Sequence, residues 1–151
     1  MKALTQKHFG VINRLGTGEW RRWERYRRMP GSQELMRFIR STFRSVWSLE
    51  LLCFLMKHAD RDWTRDELVA ALRASDLIVR ESLAALAAAG LVVVHADGAV
   101  RYQPAGPSLA ASAEAAEQLY ARSPDAVRRA IVSAASGDIA AFADAFRLRK
   151  D

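Results

Sequence analysis

The chain has 151 residues and a mass of 16.8 kDa; half of it is hydrophobic, about a quarter is charged, and mean hydropathy is −0.10. Such a balance describes one ordinary soluble globular unit. It excludes a collagen, a coiled-coil rod and a disulfide scaffold, the last because Cys53 is the single cysteine. The uncharged apolar stretch at residues 51–56 is too short to span a bilayer. No apolar signal-like region precedes Arg14, so the expected location is the cytoplasm, without membrane association.

Charge is unevenly placed. The net charge is +6, yet residues 1–44 hold eleven basic residues against three acidic ones, while the remainder holds 12 basic and 14 acidic. A near-neutral body with a basic arm points to a polyanionic partner, nucleic acid before an anionic membrane surface. The plainer alternative is a solubilising, solvated face.

Within this arm, Leu4, Phe9, Val11, Ile12 and Leu15 suggest a packed segment ended by Gly16-Thr17-Gly18. Residues 19–28 read as a short helix stopped by Pro30-Gly31, with Trp20, Trp23 and Tyr26 on one side and Arg21, Arg22, Arg25 and Arg28 on the other. A further helix begins with Ser32 as N-cap, turning Leu35, Phe38, Ile39 and Phe43 inward and Arg37, Arg40 and Arg44 outward.

From about Ser45 the pattern sharpens. Val46, Trp47, Leu49, Leu51, Leu52, Phe54, Leu55 and Met56 make a densely apolar helix ending near His58. Trp63-Thr64 is a short extended link, and Thr64 caps a helix over 65–73 with Leu68, Val69 and Leu72 as its stripe. Ser75 caps the next helix, 76–89, which buries Ile78, Val79, Leu83 and Leu86 and ends at Gly90. Residues 91–95 and 99–103 read as strands joined at Asp97-Gly98. Expected mutual burial covers Leu52, Leu55, Leu68, Leu72, Val79, Leu83, Leu86 and Leu91.

The last zone, 107–151, holds fourteen alanines. It reads as a helix over 108–122, a second opened by Ser123-Pro124 and running to about Ala135, a break at Gly137, and a final helix striped by Ile139, Phe142, Phe146 and Leu148. The fold class expected is therefore mainly α with one two-stranded hairpin. Its organisation is 1–44 as a basic helical arm, 45–105 as the central module and 106–151 as flanking Ala-rich helices, all in one compact unit.

Helix, short helix, tight turn, helix and hairpin, with Leu83-Ala84-Ala85-Leu86-Ala87-Ala88-Ala89-Gly90-Leu91 closing the last helix, resembles the winged helix-turn-helix superfamily of bacterial transcription regulators. The run is similar to that family's L-x-x-L-x-x-x-G-L signature, and Asp97-Gly98 to its wing tip; the resemblance spans about residues 45–105. The flanking helices look similar to the dimers of the multiple-antibiotic-resistance-regulator type.

The resemblance implies a DNA-binding transcription regulator whose 76–89 helix enters the major groove while the 65–73 helix crosses the backbone. Asp76, Leu77, Arg80, Glu81 and Ala84 would face the groove, with Arg80 suited to a guanine. Arg65, Arg73 and Arg101 would touch phosphates, His95 would lie on the wing, and Arg21, Arg22, Arg25 and Arg28 would add electrostatic affinity. It also implies a homodimer built from the 33–44 region and the Ala-rich zone.

Two acids on the groove face and a wing with only His95 and Arg101 depart from the usual basic pattern. Either the basic arm supplies the missing charge, or the module binds a protein partner through Leu77 without binding DNA.

No catalytic constellation is legible, so the chain reads as a non-enzyme. His8, His58 and His95 share no metal-ligand spacing. Gly16-Thr17-Gly18 lacks the glycine and lysine of a phosphate loop, and no cofactor is expected. Cys53 reads as a small buried hydrophobe. Asp60, Asp62, Asp66 and Glu67 read as helix-end charges that favour the dipole.

Overall fold

The computed structural model describes residues 31–147, so the expectations for 1–30, Arg21, Arg22, Arg25 and Arg28 among them, lie outside the described residues. The described chain is mainly helical with one small antiparallel sheet. In order it runs α1 (Ser32–Thr42), α2 (Val46–Lys57), α3 (Arg65–Leu72), α4 (Asp76–Ala88), β1 (Val92–Val94), β2 (Val100–Tyr102), α5 (Pro107–Arg122) and α6 (Pro124–Arg147).

Most helix boundaries have a local cause. Ser45 and Ser48 form a reciprocal capping box at the start of α2, and Thr64 and Glu67 form another at α3. Ser75 accepts from the Ile78 N–H at 3.3 Å to open α4. The far end of α4 is a Schellman motif: Leu91 N–H donates to the Leu86 carbonyl and Gly90 N–H to Ala87, each at 3.0 Å, with Gly90 left-handed at φ +74°. Leu86 and Leu91, the two apolar residues of that motif, are both fully buried.

Several boundaries differ from expectation. Ser32 is the first helical residue of α1 and Gly31 is its N-cap. Gly137 does not break the last helix: α6 is continuous across it. A helical glycine costs about 1 kcal/mol relative to alanine, too little to stop a helix amid alanines. The strands are each one residue shorter at both ends than the sequence pattern suggested.

Packing explains the composition of α2. It is apolar on most of its surface because it is enclosed on most sides. Leu49, Leu51, Leu52, Cys53 and Leu55 are buried, with α4 on one side, α6 on another, and β2 against it. A second layer is formed by α1, α5 and α6, where Ile39 and Phe43 of α1 meet Ala113, Ala116, Val127 and Ile131. Small alanines let these helices approach closely. Of the eight residues expected to share the core, seven are buried in one cluster; Leu72, at the open end of α3, is only half-buried.

The sheet pairs Val92 with Tyr102, Val93 with Arg101 and Val94 with Val100. Gly98, at φ +85°, and the Asp97 carboxylate, which accepts from Ala99 N–H at 2.9 Å, close the turn. One pairing was not anticipated. Trp63 and Val100 exchange both backbone hydrogen bonds at 2.8 Å, so the extended link before α3 lies on the outer edge of β2. Trp63 is held there by Phe54, in edge contact at 4.8 Å, and by the Arg61 guanidinium, 3.4 Å from its ring centroid.

Candidate nucleic-acid interface

Helix α4 is amphipathic in the simplest sense. Val79, Ser82, Leu83 and Leu86 are buried, and Asp76, Leu77, Arg80, Glu81 and Ala84 are all exposed. The five residues expected to face a groove therefore share one accessible face. Its N-terminus is held apart from α3 by a tight turn in which Arg73 takes left-handed geometry at φ 52°. That conformation is strained for a side chain with a Cβ and leaves the Arg73 side chain exposed without an ion-pair partner among the described residues.

Two clefts flank this face. The larger, about 480 Å³, lies between α4 and the hairpin and is lined by Arg65, Asp66, Arg80, Ala84, Val94 and Asp97, among others. Arg80 is its only cation without an ion pair among the described residues, since Arg65 Nε lies 2.8 Å from Asp76 Oδ1. The smaller, about 180 Å³, lies on the opposite side of α4, where Ile78, Glu81 and Ala85 face Arg44 and Trp47 at the junction of α1 and α2.

The hairpin's basic groups are both engaged. Arg101 Nε is 2.8 Å from Asp62 Oδ1, and its Nη2 donates to the Asp60 carbonyl at 3.4 Å. His95 Nε2 lies 3.8 Å from Asp62 Oδ2. Asp62 thus faces the hairpin instead of acting as a helix-end charge, which corrects the sequence reading of this carboxylate; Asp60 likewise serves Arg101 through its backbone. Asp66 and Glu67 do occupy the first turn of α3, as expected. The Thr64 N–H, donating to Glu67 Oε2 at 2.8 Å, and the Arg61 guanidinium hold the Glu67 carboxyl down at about 2.

Burial, with Glu117 and Glu50 nearby, pushes the Cys53 thiol up to about 12. A thiol so protonated is a poor nucleophile and redox sensor. Among the described residues no three His, Cys, Asp or Glu side chains are grouped to hold a metal, and no described helix is long and apolar enough to cross a membrane.

Sequence reasoning missed two participants, Asp62 and the pair Arg44 and Trp47. The Asp60-Arg61-Asp62 run beside an extended Trp63 was the available signal for the first. The second had none, because it depends on how α1 meets α4. Compared with known proteins, the chain matches no family model, no curated protein and no solved structure.

Proposed function

We propose that the chain is a winged-helix protein that binds duplex DNA, with α4 as the recognition helix and the β1–β2 hairpin as the wing. The observation that carries this reading is the Trp63–Val100 pairing. It gives the order helix (α2), edge strand (Trp63), helix-turn-helix (α3, α4) and two-stranded wing. In that arrangement the exposed face of α4 stands beside an open cleft that accommodates a backbone. Arg80 reads a base edge from that face, and Arg73 reaches a phosphate from the turn. Arg65 and Arg101 contribute only by exchanging a carboxylate for a phosphate.

The test is a gel-shift series with a labelled duplex pool at two salt concentrations, using wild type and Arg80→Ala. A salt-sensitive retarded species is expected. Arg80→Ala should relax preference at one position by about 1–3 kcal/mol. Folded protein in excess with no retarded species at low salt sinks the proposal.

A second reading, a protein-interaction module, draws on a separate observation. Leu77 and Val94 are about half exposed and Trp47 is 40% exposed around α4, while the basic groups of the hairpin are neutralised internally. It predicts that Leu77→Asp abolishes capture of a protein partner and that DNA retention is absent. The proposed setting is cytoplasmic and non-enzymatic. A homodimer remains part of the proposal, although α1 and α5 already bury their apolar stripes within their own chain. Sedimentation of a monomer at micromolar concentration would remove it.

A further inference from the structure

The sequence places Arg37, Arg40 and Arg44 on the outward side of a helix within the basic 1–44 stretch. In the structure this row has a direction. Arg37 and Arg40 lie three residues apart on the exposed face of α1, in a shallow depression shared with Gln33, Met36 and Ser41. Neither makes an ion pair or side-chain hydrogen bond among the described residues. Arg44 continues the row past the end of α1, where buried Phe43 anchors the chain in an extended conformation.

Arg44 also lines the cleft beside Ile78 and Glu81 of α4. Among the described residues its ion-pair partner is Asp138, at 3.3 Å, with both side chains about three-quarters exposed. Water competes effectively for such a pair, and a phosphate can displace the carboxylate.

We propose that Arg37, Arg40 and Arg44 form a phosphate-binding track that follows the DNA backbone along the side of α4 away from the hairpin. The inference rests on the duplex-binding reading above and deepens it. A helix in the major groove has a phosphate strand on each flank, because the groove is only about 12 Å wide. The hairpin-side flank offers the exchangeable Arg65. The opposite flank is served by this row, and guanidinium forks suit phosphate oxygens. Glu81 is the acid nearest the track on α4. It lines the same cleft as Arg44, and in the proposed complex its carboxylate accepts from a cytosine N4, which offsets its repulsion of the neighbouring phosphates.

The experiment measures binding of the full chain to a fluorescent duplex of random sequence across a salt series, by anisotropy. Each neutralised phosphate contact contributes about 0.9 to the slope of log K against log salt. The variant Arg37→Gln/Arg40→Gln/Arg44→Gln should therefore flatten the slope by about 2 to 3 and weaken all sequences alike. A second variant, Lys57→Gln/Arg122→Gln/Arg129→Gln, removes the same charge from exposed positions outside the row and should change the slope by less than about 1. Circular dichroism checks that both fold.

If the wild type binds and the first variant keeps the wild-type slope, the track is overturned and the duplex reading stands. Equal losses in both variants also overturn the track, since total charge would then be the cause. If the wild type binds no duplex at low salt, the track and the reading fall together.

Discussion

Arg101 Nε lies 2.8 Å from Asp62 Oδ1 and His95 Nε2 lies 3.8 Å from Asp62 Oδ2, so one carboxylate faces both basic groups that the hairpin carries. On the duplex-binding reading, Asp62 suppresses the phosphate affinity of the wing. Asp62→Asn should tighten binding several-fold and steepen the salt slope by about 1. Its stability should change by less than about 1 kcal/mol, because the pair is partly solvated. Anisotropy titrations and thermal melts read the two effects separately.

Glu67 supplies the pH-dependent case at this scale. Its carboxyl is lowered from 4.5 to about 2 in the folded chain, so the stabilisation it gives is complete above the ordinary carboxylate range. It is lost as pH falls through about 2. The stability advantage of wild type over Glu67→Gln should therefore shrink between pH 5 and pH 2, as followed by urea denaturation at each pH.

Among the elements, two glycines that look alike in sequence play opposite parts. Gly90 sits at φ +74°, and a Cβ there would meet the Ala105 Cβ at 3.3 Å. Gly90→Ala should cost at least about 1–2 kcal/mol, from left-handed strain alone. Gly137 lies inside α6 with nothing within 4 Å of an added Cβ, so Gly137→Ala should stabilise by about 0.5–1 kcal/mol. Chemical denaturation of both variants checks the pair of signs.

The difference also shows what was legible. Gly90 follows Leu83 and Leu86 at helical spacing and precedes a β-branched run, so its role as a helix terminator could be read locally. Gly137 carries the same residue type without a following change of pattern, and the alanines on both sides carry the helix through it.

At the scale of the whole molecule, α2 is the central element, with α4, β2 and α6 packed against it. Besides its apolar packing, the Tyr120 hydroxyl donates to Glu50 and accepts from Arg128 at 3.0 Å, which ties α5 and α6 to α2. The described helices and the sheet share one contiguous core, so the layer of α1, α5 and α6 and the layer of α3, α4 and the hairpin should unfold together. Leu52→Ala, at a fully buried site of α2, should cost about 2–5 kcal/mol while leaving a single cooperative transition. Two separated transitions in a calorimetric scan would show that the layers are independent.

The sequence by itself determined where most elements begin and end. Caps such as Ser45, Thr64 and Ser75, the Gly90 stop and the Asp97-Gly98 turn act over three or four residues, and the apolar spacing of α4 already divided its buried face from its exposed one. Tertiary structure decided the charge balance around that face. Asp62 meets Arg101, Arg65 meets Asp76, and Arg44 meets Asp138 from 94 residues away. It also decided that Trp63 becomes an edge strand beside Val100 and that Arg44 lines a cleft beside α4. These outcomes depend on distances between segments, and only packing around α2 sets those distances: local backbone preferences and hydrophobic periodicity act within one element, whereas an ion pair or a strand pairing needs two elements already in place.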